Sequence, residues 1–126
     1  MEKTIFKFLD DFDEIKAGTI FTDNEFIRAF GCNAYDDIRD MLCDCTEEER
    51  KSGNVWFFYQ GMRLAVWDEE ISIKTLRAKT KLSQRAFGEY LGIPARTIED
   101  WEQEKRTPPA YVVELIYYKL RGEKKL

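Results

Sequence analysis

The chain carries three thiols, Cys32, Cys43 and Cys45, and no histidine. Three thiolates hold zinc only if a carboxylate or water supplies the fourth ligand, and Cys43-x-Cys45 is tighter than the usual ligand spacing. An odd count without a regular framework reads instead as free thiols in a reducing compartment, with no metal and no other cofactor expected. Without histidine, the commonest general base and the switch near neutral pH are both missing. No glycine-rich phosphate loop and no nucleophile–base pair appears, so the chain is not expected to be an enzyme. What remains is charge. Residues 1–70 hold 8 Lys and Arg against 17 Asp and Glu, whereas residues 71–126 hold 12 against 7, within an overall net charge of −4. A basic half beside an acidic half suggests one part facing a polyanion, although acidic surface also serves solubility alone.

The elements that must position these charges are those of a globular protein. The 126 residues are 44% hydrophobic, 14% aromatic and 35% charged, with only 7 Gly and 3 Pro, enough for one ordinary domain or two small ones. No stretch approaches the roughly 18 consecutive apolar residues that span a bilayer. The N-terminus lacks the basic start, apolar centre and small-residue cleavage site of a secretion signal, so the expected location is cytoplasmic, away from membranes.

Along the first half, Ile5, Phe8, Leu9, Phe12 and Ile15 recur at spacings near three and four and predict an amphipathic helix over Thr4–Lys16. Thr19-Ile20-Phe21 suggests a short edge strand. Thr22 and Asp23 can cap a helix that carries Phe26, Ile27, Ala29 and Phe30 and stops at Gly31. Another helix begins near Asn33, and Thr46 with Glu47, Glu48 and Glu49 reads as a fresh N-terminus, where the dipole favours acids. Val55–Tyr59 and Arg63–Trp67 flank Gln60-Gly61-Met62, a β-hairpin pattern with Gly61 at positive φ. Asp68-Glu69-Glu70 reads as an acidic connector, and the domain boundary is placed there.

From Ile71 the periodicity is helical and punctuated at short intervals. Ile73, Leu76 and Arg77 open a helix to about Thr80. Ser83 caps a second, with Ala86, Phe87, Tyr90 and Leu91, that ends at Gly92. Pro94 suits the first turn of a third, which carries Ile98 and Trp101 on its core face. Thr107-Pro108-Pro109 stops the chain before a last helix with Val112, Val113, Leu115, Ile116 and Leu120 for the core. Gly88 lies inside the second helix, where Gly is about 1 kcal/mol worse than Ala. It makes sense if the third helix passes in close contact. The expected fold is therefore mainly α: a C-terminal domain of four to five helices over residues 71–126, preceded by a small acidic α+β domain with a β-hairpin over residues 1–70.

Leu82-Ser83-Gln84, Phe87-Gly88, Leu91-Gly92-Ile93, Thr97-Ile98, Trp101-Glu102 and Lys105-Arg106-Thr107-Pro108 together resemble the Cro/CI, or XRE-type, helix-turn-helix family. The resemblance is closest to the helix-turn-helix antitoxins, whose third helix ends in Trp-Glu. It implies a double-stranded DNA partner read in the major groove. It assigns base reading to Ala95, Arg96, Thr97, Glu99 and Asp100, and phosphate contact to Ser83, Gln84, Arg85, Lys105 and Arg106. Arg96 is the candidate for direct readout, because a guanidinium can bridge guanine O6 and N7. Its alternative is a surface ion pair with Glu99 or Asp100. Two departures stand out. The family has Gly where this chain has Glu104, so the loop after the third helix is expected to take another shape. Glu99, Asp100, Glu102 and Glu104 also make that helix acidic, which argues against tight binding by a single copy.

The implied function is a sequence-specific transcriptional regulator, a dimeric repressor reading paired half-sites. The alternative is an antitoxin or phage-type inhibitor whose residues 1–70 bind a protein target, with DNA binding for autoregulation. The paired Cys-x-x-Cys motifs of zinc-binding antitoxin domains are absent. Residues 1–70 match no family by their motifs. Dimerisation through the hairpin edge, capture of a basic protein partner such as a toxin, or sensing of a small molecule are the roles expected of them.

Overall fold

The computed structural model of the chain describes residues 2–123 and 125. They fall into two compact units, Glu2–Glu69 and a second that begins at Glu70.

The first unit holds β1 (Glu2–Phe8), β2 (Ile20–Thr22), α1 (Asp23–Phe30), α2 (Cys32–Cys43), α3 (Glu47–Ser52), β3 (Trp56–Tyr59) and β4 (Met62–Glu70, whose last residue opens the second unit). The strands form one sheet in the order β2-β1-β4-β3. β1 and β2 run antiparallel with Phe6 opposite Phe21, and β3 and β4 antiparallel with Phe57 opposite Leu64. Phe6, Phe8, Leu64 and Val66 meet Phe26, Ala34, Ile38 and Leu42 in the core. Phe6 stacks on Phe26 with ring centroids 4.2 Å apart.

The helix expected over Thr4–Lys16 is a strand and loop instead. The helical stripe left Phe6 on its polar side, yet Phe6 is fully buried. Thr4, Ile5, Phe6 and Phe8 favour the pleated surface, and a strand hides side chains on both sides where both faces of the sheet are covered. Lys3 through Phe6 are accordingly buried in succession. The acidic connector is also corrected, because β4 continues through Asp68 to Glu70. Asp68 is buried, accepting hydrogen bonds from Thr4 Oγ1 at 2.9 Å and Arg39 Nη1 at 2.7 Å. A buried carboxylate persists only with such partners.

The expected capped helices and hairpin are present. Thr22 and Thr46 each close a capping box, with Glu25 and Glu49 respectively. Gln60 and Gly61 hold φ at 48° and 87° in a two-residue turn of the kind that matches strand twist.

The second unit contains α4 (Ile73–Thr80), α5 (Gln84–Leu91), α6 (Ala95–Glu102) and α7 (Ala110–Gly122). Leu76, Phe87, Ile98 and Leu120 are completely buried and meet Ile71, Ile73, Val113, Ile116 and Tyr117. Each such large apolar side chain contributes about 1.5–3 kcal/mol. Trp101, expected in the core, is half-buried and packs against its edge. Leu115, also expected there, is 63% exposed, because Val113, Ile116, Tyr117 and Leu120 form the buried side of α7.

Candidate nucleic-acid interface

The geometry of α5 and α6 follows from their ends. Ser83 Oγ accepts the Ala86 N–H at 3.1 Å, fixing where α5 starts. Gly92 closes it at φ 71°, and the Ile93 N–H returns to the Gly88 carbonyl at 2.8 Å. That return brings the turn against the helix. A Cβ on Gly88 would sit 2.4 Å from the Ile93 carbonyl oxygen and 3.3 Å from the Ala95 nitrogen. The close approach anticipated at Gly88 is thus made by the turn and by the first residue of α6. Pro94 stands at the N-cap, one position before the helix, and its carbonyl accepts from Thr97 and Ile98 at 2.9 and 3.2 Å.

With Ile98 pinned in the core, the opposite face of α6 is turned outward. Ala95, Arg96, Glu99 and Asp100 line a groove of about 410 Å³ together with Gln84 and Arg85 at the start of α5 and Lys105 beyond α6. Seven of the ten residues singled out from the sequence are therefore brought together. The other three do not line this groove. Thr97 is half-buried, two positions round from Ala95 and beside Ile98. Ser83 is engaged as the α5 cap. Arg106 lines a second groove, of about 710 Å³, beside Trp101, Thr107 and Pro108.

Charges in the first groove are arranged so that the acids do not consume the bases. Arg96 is exposed, and among the described residues neither acid takes it as a partner. Glu99 accepts from Gln103 Nε2 at 3.2 Å, and Asp100 Oδ2 lies 3.8 Å from Arg106 Nε. Arg85 faces Glu89 at 3.3 Å with both side chains exposed, a pair worth well under about 1 kcal/mol and easily exchanged.

Glu102, counted in the sequence as a liability, points away from the groove. Its side chain is 5% exposed and receives Arg77 in a two-point contact, Nε to Oε2 at 2.7 Å and Nη2 to Oε1 at 2.8 Å. The carboxylate raises the Arg77 pKa further, keeping the guanidinium charged. Arg77 Nη1 also donates to the Leu82 carbonyl at 3.0 Å, tying α4, the α4–α5 loop and the end of α6 together. Sequence reasoning missed this brace; the signal available was the Trp101-Glu102 pair itself. The loop after α6 is likewise corrected: Glu104 adopts φ 61°, the left-handed conformation that glycine would hold, rather than a different shape.

A comparison with family models matches residues 73–116 to the family described as Helix-turn-helix. That segment is a helix-turn-helix of the Cro/CI type. No curated protein and no solved structure matches the chain. The helix-turn-helix spans α4 to the middle of α7 and includes every residue of the first groove. It is a DNA-binding module of regulators. Among the described residues no group of three Cys, Asp or Glu could hold a metal, and no helix is long and apolar enough to cross a membrane.

Proposed function

We propose that the protein is a sequence-specific transcriptional regulator, a dimeric repressor acting in the cytoplasm, that lays α6 in the major groove of double-stranded DNA. Residues 71–126 serve as the DNA-binding domain and residues 1–70 as an acidic partner or dimerisation domain. The observation that carries this reading is the exposed, unclaimed guanidinium of Arg96, on the face of α6 opposite buried Ile98. The major groove, about 12 Å wide, admits a helix in this orientation. Arg96 reads a guanine edge, Ala95 packs on a thymine methyl, and Glu99 or Asp100 accepts from cytosine N4. Gln84, Arg85 and Lys105 grip the backbone on either side, and they fix register without carrying sequence information.

The test is selection of bound duplexes from a random pool, repeated with Arg96→Ala. Base reading predicts relaxed preference at one position and a loss of about 1–3 kcal/mol. Uniform weakening over all sequences would make Arg96 a phosphate contact. A pool left unenriched at low salt would remove the proposal altogether.

A second reading is supported by the first unit. Trp56 is 53% exposed and Phe58 69%, side by side on edge strand β3. An exposed aromatic pair on a sheet edge suits a protein target, as in an antitoxin or phage-type inhibitor that uses DNA binding for autoregulation. Co-purification of a small protein that Trp56→Lys releases would favour it.

A further inference from the structure

Strand β3 lies at the end of the sheet and is paired along one edge only, to β4. Tyr59 and Met62 flank the two-residue turn and form a hydrogen-bonded pair, a state that recurs at every second position of an antiparallel ladder. The Val66 N–H donating to the Val55 carbonyl at 3.1 Å fixes the same phase. Phe57 therefore bonds inward to Leu64, while the N–H and C=O groups of Trp56 and Phe58 point away from β4. Among the described residues no other backbone group meets them. The side chains of the same two residues are exposed, and they lie on the face away from the core, because the alternating Phe57 and Tyr59 pack against it. Arg63, across from Phe58, lies 5.5 Å from the Trp56 ring centre with its charge taken up by Asp10. The opposite face is acidic. Tyr59 Oη donates to Asp37 at 2.6 Å, which sets one side of α2 beside the strand. At about 3.6 residues per turn, Asp40 and Asp44 continue that side, and all three carboxylates belong to exposed residues.

We infer that β3 is the docking edge for an extended basic segment of a partner protein, which adds to the sheet as an antiparallel strand. Its backbone pairs with the outward N–H and C=O groups of Trp56 and Phe58. Side chains directly opposite these two fall on their face of the sheet and are apolar, covering the exposed rings. The alternate side chains fall on the α2 side, where Lys or Arg meets Asp37, Asp40 and Asp44. The partner segment thus alternates apolar and basic residues. Residues 1–70 carry 17 Asp and Glu against 8 Lys and Arg, so a cationic segment is attracted before it docks. A second copy of the chain would instead bring the same negative charge against this unit.

The inference rests on the protein-target reading of the first unit, which it narrows to a partner of one conformation and charge. The probe is a fluorescent peptide of alternating Val and Lys, titrated with the full chain and followed by anisotropy. It should bind, and more weakly as salt is added. Exchanging its Lys for Glu should abolish binding. N-methylation of the Val amides, which face β3, should abolish it too, whereas N-methylation of the Lys amides, which face away, should be tolerated. Phe58→Pro removes one outward N–H without touching the ladder to β4. Its circular dichroism spectrum should match the wild type, and its affinity should fall on the order of tenfold. The methylated peptides decide the matter independently of how that variant folds. Asp40→Lys with Asp44→Lys should weaken the Lys peptide and admit the Glu peptide. A wild type that leaves the Val–Lys peptide unbound would overturn the inference. So would equal binding of the Glu peptide, indifference to Val methylation, or a dimer in sedimentation that Phe58→Pro separates, which would give the edge to a second copy. A co-purifying small protein released by Trp56→Lys but not by Phe58→Pro would sink strand addition and leave the protein-target reading standing. The peptide behaving as expected while no small protein co-purifies would do the reverse.

Discussion

Glu104 and Gly88 depart from local preference in opposite senses, and each departure has a measurable consequence. Glu104 holds φ at 61° in the loop after α6. The left-handed region costs a non-glycine residue roughly 1–2 kcal/mol, while glycine loses about 0.5–1 kcal/mol of extra chain entropy on folding. The first figure exceeds the second, so Glu104→Gly should stabilise the protein by about 0.5–1 kcal/mol, seen as a raised urea midpoint. Gly88 is the reverse case. Helix propensity alone predicts that Gly88→Ala gains about 1 kcal/mol. The added Cβ would instead meet the Ile93 carbonyl at 2.4 Å, a backbone atom that can yield only if the whole turn moves. Overpacking of that kind costs about 1–3 kcal/mol, so the midpoint should fall and duplex binding should weaken as α6 shifts on α5. A raised midpoint would refute the close approach.

At the scale of elements, what could be read in advance was what is local in the chain. Ser83, Gly92 and Pro94 mark the ends of α5 and α6 because capping involves neighbours within a few residues. The groove between these helices was legible for the same reason. Thr97 does not line that groove, although it is half-buried like Ala95. β1 was misread because Ile5, Phe8, Leu9 and Phe12 fit a helical period, and only the stranded Phe6 argued otherwise. Asp68 was beyond reach, and Glu102 was signalled only by its place after Trp101. Each is defined by a partner distant in sequence: Thr4 and Arg39 for Asp68, at separations of 64 and 29 residues, and Arg77 for Glu102, at 25. The Arg77–Glu102 brace joins α4 to α6 and should act as a unit. Glu102→Gln removes the charge from two hydrogen bonds and should lower stability by about 1–3 kcal/mol. Its effect on duplex binding should be uniform over sequences, because Glu102 does not line the groove. Altered preference in a selection experiment would show that the brace reaches the bases directly.

For the whole molecule, a net charge of −4 would seem to disfavour a polyanion, but the field that matters is local. Arg85, Arg96 and Lys105 converge on one groove of a basic unit. Affinity for DNA should therefore fall steeply with added salt despite the negative total. Lys105→Ala should flatten the slope of log affinity against log salt by about one, as loss of a single phosphate contact requires. An unchanged slope would remove Lys105 from the backbone contacts. The eight residues of α6 also divide their labour: Ile98 and Glu102 anchor, while Ala95, Arg96, Glu99 and Asp100 look outward. On the proposed reading, exchanging those four side chains rewrites binding preference, as a graft or through a handful of codon changes in nature, with the scaffold that seats them left untouched.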